Sequence, residues 1–133
     1  MAAENFLELS PQGDIDLEPW LALLNSSVAE LTFRASAHLY GGGVYNLNPG
    51  DVKSICLPDP SGLNAEGASD LRRAFREYVR RGEATRERLD SAIAAAFGFS
   101  RETSRAIQNG VAELKALSNK VKSLPEPGLF ASA

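Results

Sequence analysis

The sequence predicts an α+β fold, with short strands and one long helix in the N-terminal half followed by a three-helix C-terminal cluster. Three observations lead there. Apolar residues recur at helical spacing from Leu17 to Ala35 without an obvious break. Residues 40–60, YGGGVYNLNPGDVKSICLPDP, set three glycines before alternating apolar positions and a proline-punctuated exit. Beyond residue 68, three amphipathic stripes are separated by Gly82 and Gly98, and prolines stop the last.

Taken in order, Phe6, Leu7 and Leu9 form a short apolar run that reads as a strand, broken at Pro11 and Gly13. Asp16 suits a helix N-cap, with Glu18 favoured by the dipole and Pro19 harmless in the first turn. Leu17, Trp20, Leu21, Leu24, Val28, Leu31 and Ala35 then give one core-facing stripe to about residue 36. Within it, Asn25, Ser26 and Ser27 compete for backbone groups and weaken the helix; they serve either close packing at small side chains or a polar contact to a partner.

Gly41, Gly42 and Gly43 can adopt positive φ or let another backbone approach. Val44 to Leu47 alternate as a strand, Pro49-Gly50 turns the chain, and Val52, Ile55 and Leu57 make a second apolar run that Pro58 and Pro60 stop. Next, SGLNAEGAS reads as a loop, and Ser69 caps a helix carrying Leu71, Phe75, Tyr78 and Val79. A further helix from about Thr85 buries Leu89, Ile93 and Phe97, and its alanines permit close approach. Gly98 closes it, Ser100 caps the last helix, and Ile107, Val111, Leu114, Leu117 and Val121 form the final stripe. The expected organisation is a strand-helix-strand segment with a glycine-rich hairpin over 1–60, a linker over 61–68, a helical segment over 69–124 and a tail over 125–133, in one unit.

The 133 residues, 44% of them apolar, suffice for one domain with a core that needs no metal or disulfide. A single cysteine, Cys56, excludes an internal disulfide and a cysteine-built zinc site, and points to a reducing cytoplasmic setting; its apolar surroundings suggest a buried structural thiol. No stretch is apolar for long enough to cross a membrane, and Glu4 stands where a secretory leader would be basic. The net charge of −3 argues against a free-standing nonspecific DNA binder. Its distribution is uneven: residues 1–68 carry −7 and residues 69–133 carry +4. An acidic half suits docking on a partner domain, and an arginine-rich half could face phosphate.

The stretch from Tyr40 through the three glycines to the ICLP segment, with LLNSS at residues 23–27 upstream and RERLDSAIAAAFGFS downstream, resembles the target-recognition and C-terminal region of adenine-specific DNA methyltransferases of restriction-modification systems. The resemblance covers roughly residues 4–121. It implies a C-terminal piece, separate subunit or relic of such an enzyme, which grips duplex DNA while a catalytic domain flips the target adenine and methylates it. S-adenosylmethionine would be the cofactor of that parent enzyme, and none is expected in this chain. Neither the family's cofactor loop nor its Asn-Pro-Pro-aromatic motif is present: Gly50 and Asp51 follow Asn48-Pro49, and the three glycines precede a strand.

DNA recognition needs groups for phosphate and for base edges. Asn46 and Asn48 carry amides suited to adenine; His38, Tyr40 and Tyr45 offer stacking or hydrogen bonds; Arg34 and Lys53 offer charge; all surround Gly41, Gly42 and Gly43. Equally, Tyr45 could pack, the asparagines could shape turns, and Arg34 could answer a helix dipole. Arg72, Arg76 and Arg80 fall four apart on one helix face, as a phosphate-tracking stripe would, or as a solvated face neutralised by Glu77 and Glu83. No acid, base and nucleophile set stands out, and the competing class is a protein-protein docking module with no DNA binding of its own.

Overall fold

The protein is described by a computed structural model over residues 10–40 and 44–124. The expected strand at Phe6 to Leu9, Gly41 to Gly43 and the tail lie outside those residues. Helices dominate: α1 (Leu17–Leu24), α2 (Ser27–Ser36), the short α3 (Pro49–Lys53), α4 (Ala65–Arg81), α5 (Arg86–Phe97) and α6 (Arg101–Lys122). The β structure among the described residues is one antiparallel hairpin, β1 (His38–Tyr40) with β2 (Val44–Asn46), in the register His38↔Asn46, Leu39↔Tyr45, Tyr40↔Val44. The class is therefore mostly helical, which overturns the α+β expectation.

The single long helix is two. Asn25 Nδ2 donates to the Leu21 carbonyl at 2.8 Å beside the helical bond from its own N–H, and the N–H and Oγ of Ser26 both donate to the Leu23 carbonyl, at 3.1 and 2.6 Å, the acceptor that the Ser27 N–H would use in a continuing helix. Ser26 takes an extended backbone, φ −84° and ψ 166°, and α2 restarts behind it. The break also turns the stripe: Pro19, Ala22 and Leu23 are buried, whereas Leu17 and Leu21 are 46% and 38% exposed.

The second apolar run is not a strand either. Asn48 and Pro49 open α3, and Asp51 accepts the Asn48 N–H at 2.9 Å, closing the turn before Val52 can extend. Cys56 follows in irregular chain and is exposed, against the expectation of a buried thiol. Further on, α4 starts at Ala65 rather than Ser69, because Asn64 Oδ1 accepts the Gly67 N–H at 2.8 Å and captures the orphan donors one turn earlier.

The three C-terminal helices do not close a cluster by themselves. The core is Ala22, Leu23, Leu71, Leu89 and Ile93, with Trp20, Val28, Phe75, Tyr78, Phe97 and Phe99 packed around it, so α1 completes the α4–α5 pair. Helix α6 instead lies on α2, where a Cβ built on Gly110 would stand 2.8 Å from Leu31 Cδ1. Gly98 takes the left-handed conformation, φ 69°, that lets α5 end and the chain swing into α6, whose N-cap Ser100 accepts the Thr103 N–H at 3.1 Å. The N-terminal helices are thus the middle layer of the fold.

Leu71 is fully buried, and Leu71→Ala should lower the unfolding free energy by about 2–5 kcal/mol in denaturant titration. Leu21→Ala, at the same position of the apolar pattern but exposed, should cost less than half as much.

Candidate nucleic-acid interface

The hairpin is held to the helical body by Tyr45. Alternation along β2 turns its side chain opposite to that of Asn46, and its hydroxyl donates to the Leu114 carbonyl of α6 at 2.6 Å. The Arg34 guanidinium stands 5.2 Å above the Tyr45 ring, in cation–π range, while Arg34 Nε donates to Glu30 Oε2 at 2.9 Å. Both residues thus work inside the fold.

On the other face, the base of the hairpin carries two exposed polar groups. His38 and Asn46 are cross-strand partners; Asn46 is exposed, and the His38 side chain is 57% exposed with Nε2 3.5 Å from Asp51 Oδ2. Asn48 and Lys53, at the two ends of α3, are exposed as well. The structure therefore brings His38, Asn46, Asn48 and Lys53 to one locality at the hairpin base and α3, with Arg34 and Tyr45 behind them. Tyr40 pairs with Val44 at the hairpin end. Gly41, Gly42 and Gly43 lie outside the described residues.

The α4 arginines are elsewhere and mostly engaged. Arg72 pairs with Asp16, and Arg76 makes a two-pronged bond to Glu18, Nε to Oε2 at 3.0 Å and Nη2 to Oε1 at 2.7 Å. That hydrogen bonding holds the Glu18 carboxyl below its ordinary value and raises Arg76. Arg80 is exposed and forms no ion pair with a described residue. The stripe thus helps seat α1 on α4.

Two polar centres went unnoticed in the sequence. Asp90 of α5 accepts the Ser27 N–H at 2.7 Å and the Ser27 hydroxyl at 2.6 Å, and also Gln108 Nε2 at 3.0 Å, so one carboxylate caps α2 and ties α6. The signal available was an acid beside Leu89 on an otherwise apolar face, where a buried charge requires donors. The second centre is Glu30, 16% exposed, which meets Arg34, Arg86 and, at 3.6 Å, Lys115. Burial works to raise its carboxyl, but the hydrogen bonds from Arg34 and Arg86 outweigh it and hold the group below its ordinary value. For Arg86, burial opposes the charge and the Glu30 bond restores it, with a net rise.

A groove of about 730 Å³ opens between the start of α2, α5 and α6, lined by Asp90, Gln108, Arg88, Arg105, Ile107 and Phe99 among others. Among the described residues no three His, Cys, Asp or Glu gather to hold a metal, and no helix is long and apolar enough to cross a membrane. No family model, curated protein or solved structure matches the chain.

Asp90→Ala strands the Ser27 and Gln108 donors, so it should cost about 1–3 kcal/mol of stability, more than Ser27→Ala, which keeps the backbone bond. Because the Glu30 carboxyl is depressed in the folded state, its contribution is complete above the unfolded value of 4.5 and drains away as pH falls below it. Denaturant titrations across pH 3–7 should therefore show a flatter acid limb for Glu30→Gln than for the unaltered chain, on the order of the Glu30 contribution alone.

Proposed function

We propose that this chain is a DNA-recognition segment of an adenine-specific DNA methyltransferase, gripping duplex DNA and presenting its target to a separate catalytic domain. The observation that carries the reading is the hairpin: a two-stranded ribbon pinned by Tyr45 to α6, with Asn46 and His38 open on its other face. Ribbons of this kind fit the major groove, and a carboxamide pairs two-pronged with the adenine edge. Asn46 is the base-reading group, His38 and Asn48 are adjacent hydrogen-bonding groups, and Lys53 meets phosphate. The sequence resemblance centred on residues 40–58 supports the same reading.

Arg72 and Arg76 do not enter it, because each already has a carboxylate partner from α1. Nor does the cofactor. Among the described residues the glycines with positive φ, Gly13, Gly82 and Gly98, each stand before or after a helix, and the resemblance assigns S-adenosylmethionine to the parent enzyme's catalytic domain. Methyl transfer is the work of the catalytic domain.

A second reading, a protein docking module, has one observation in its favour: Ile15, Leu17 and Leu21 are exposed together at the start of α1. Salt separates the two, since phosphate contacts weaken steeply with ionic strength and apolar docking does not.

Selection of this chain on random duplexes at low and moderate salt should enrich one short adenine-containing sequence. Asn46→Ala should relax preference at a single position by about 1–3 kcal/mol while leaving the rest of the motif intact. Absence of binding at low salt would overturn the proposal in favour of docking.

A further inference from the structure

Helix α6 carries a feature that the hairpin reading does not use. Arg101, Arg105, Gln108, Lys115, Asn119 and Lys122 recur at alternating steps of four and three, with Ala112 completing the spacing, and all are exposed. They form one continuous row. No carboxylate interrupts it, since Glu102 and Glu113 fall on other rows of the helix. Over the whole of α6 there are five cations against two carboxylates, in a chain whose net charge is −3.

Contacts fix where the row lies. Gln108 reaches Asp90 of α5 and Lys115 reaches Glu30 of α2, so the row runs along the edge of α6 that borders both helices. Arg105 continues it onto the groove that Arg88 also lines. In the other direction, Glu30 is shared with Arg34, Arg34 covers Tyr45, and Tyr45 is bonded to Leu114 beside Lys115. The row and the hairpin are therefore neighbours through direct contacts. Arg101, Arg105 and Lys122 form no ion pair with a described residue, unlike Arg72 and Arg76 of α4.

We infer that this row on α6 is a phosphate track, the surface along which the chain grips the backbone of a nucleic-acid duplex next to the hairpin. The inference rests on the reading of the chain as a DNA-recognition segment and deepens it by moving the backbone contact from α4 to α6. Its length fits: 22 residues of helix span about 33 Å, close to one turn of duplex. Its composition fits too, because cations interleaved with amides bind phosphate oxygens without demanding a particular base.

The test compares two charge-matched double variants of the full chain on one duplex, with affinity measured from low to moderate salt and helicity checked by circular dichroism. Arg105→Gln with Lys122→Gln should keep helicity, lower affinity roughly 10- to 100-fold near 0.1 M salt and flatten the logarithmic salt slope by about two. Sequence preference should be unchanged. Arg73→Gln with Arg80→Gln, on α4, should leave the slope nearly as it was. Equal losses from both pairs would reduce the effect to net charge and overturn the inference. So would sequence-selective binding that the α6 pair does not alter, in which case the DNA-recognition reading survives. If the unaltered chain binds no duplex at low salt, both fall, and retention on an acidic protein column would then mark α6 as a protein-facing surface.

Discussion

The carboxylate of Asp90 is the interaction on which the remaining architecture depends. By accepting the backbone and hydroxyl protons of Ser27, it supplies the cap that α2 needs at its first turn, from a residue 63 positions away. A helix that began at Leu17 is thereby allowed to stop at Leu24 and restart in a new direction. Without that cap the orphan donors of a buried helix start would oppose the break. The same carboxylate takes a bond from Gln108, so the relation of α6 to α5 passes through it as well.

From this point the arrangement propagates by contact. With α2 redirected, Leu31 meets the helix backbone at Gly110, the position where the lack of a Cβ permits α6 to lie close. Glu30, one residue earlier, gathers Arg34, Arg86 and Lys115 from three helices, a partly buried charge made tolerable by its cationic partners. Arg34 then covers Tyr45, and Tyr45 ties the hairpin to α6. The polar groups of the hairpin and α3 are thus displayed from a fixed support, which a two-stranded ribbon could not provide for itself.

Charge follows the same logic. Seen along the chain, an acidic half precedes a basic half, which invites the view that one half faces a partner and the other DNA. In three dimensions the halves interleave, and Asp16 and Glu18 neutralise Arg72 and Arg76 across the α1–α4 contact. Among the described residues Arg101, Arg105 and Lys122 of α6 form no ion pair, and Lys53 stands exposed by the hairpin.

Local rules determined a good part of this protein. Gly98 and Ser100 marked the ends of α5 and α6, because a left-handed residue and a hydroxyl N-cap act within a few residues of themselves. Alternation made β2 legible at Val44 to Asn46, but its partner β1 was not legible as a strand, because three residues before the glycines carry too little pattern to mark one. The Asn-Ser-Ser triplet was visible as a weak point, yet whether it bent, packed or broke the helix depended on Asp90, which no window of local sequence contains. The same holds for Leu21, whose exposure follows from how α1 packs, whereas the first part of the Val52 to Leu57 run was folded into α3 by the local Asn48–Asp51 cap, a signal the alternation masked. Spacing of four already allows the Glu30–Arg34 pair, but only tertiary structure decided that Asp16 and Glu18 occupy Arg72 and Arg76, because those carboxylates come from across the fold.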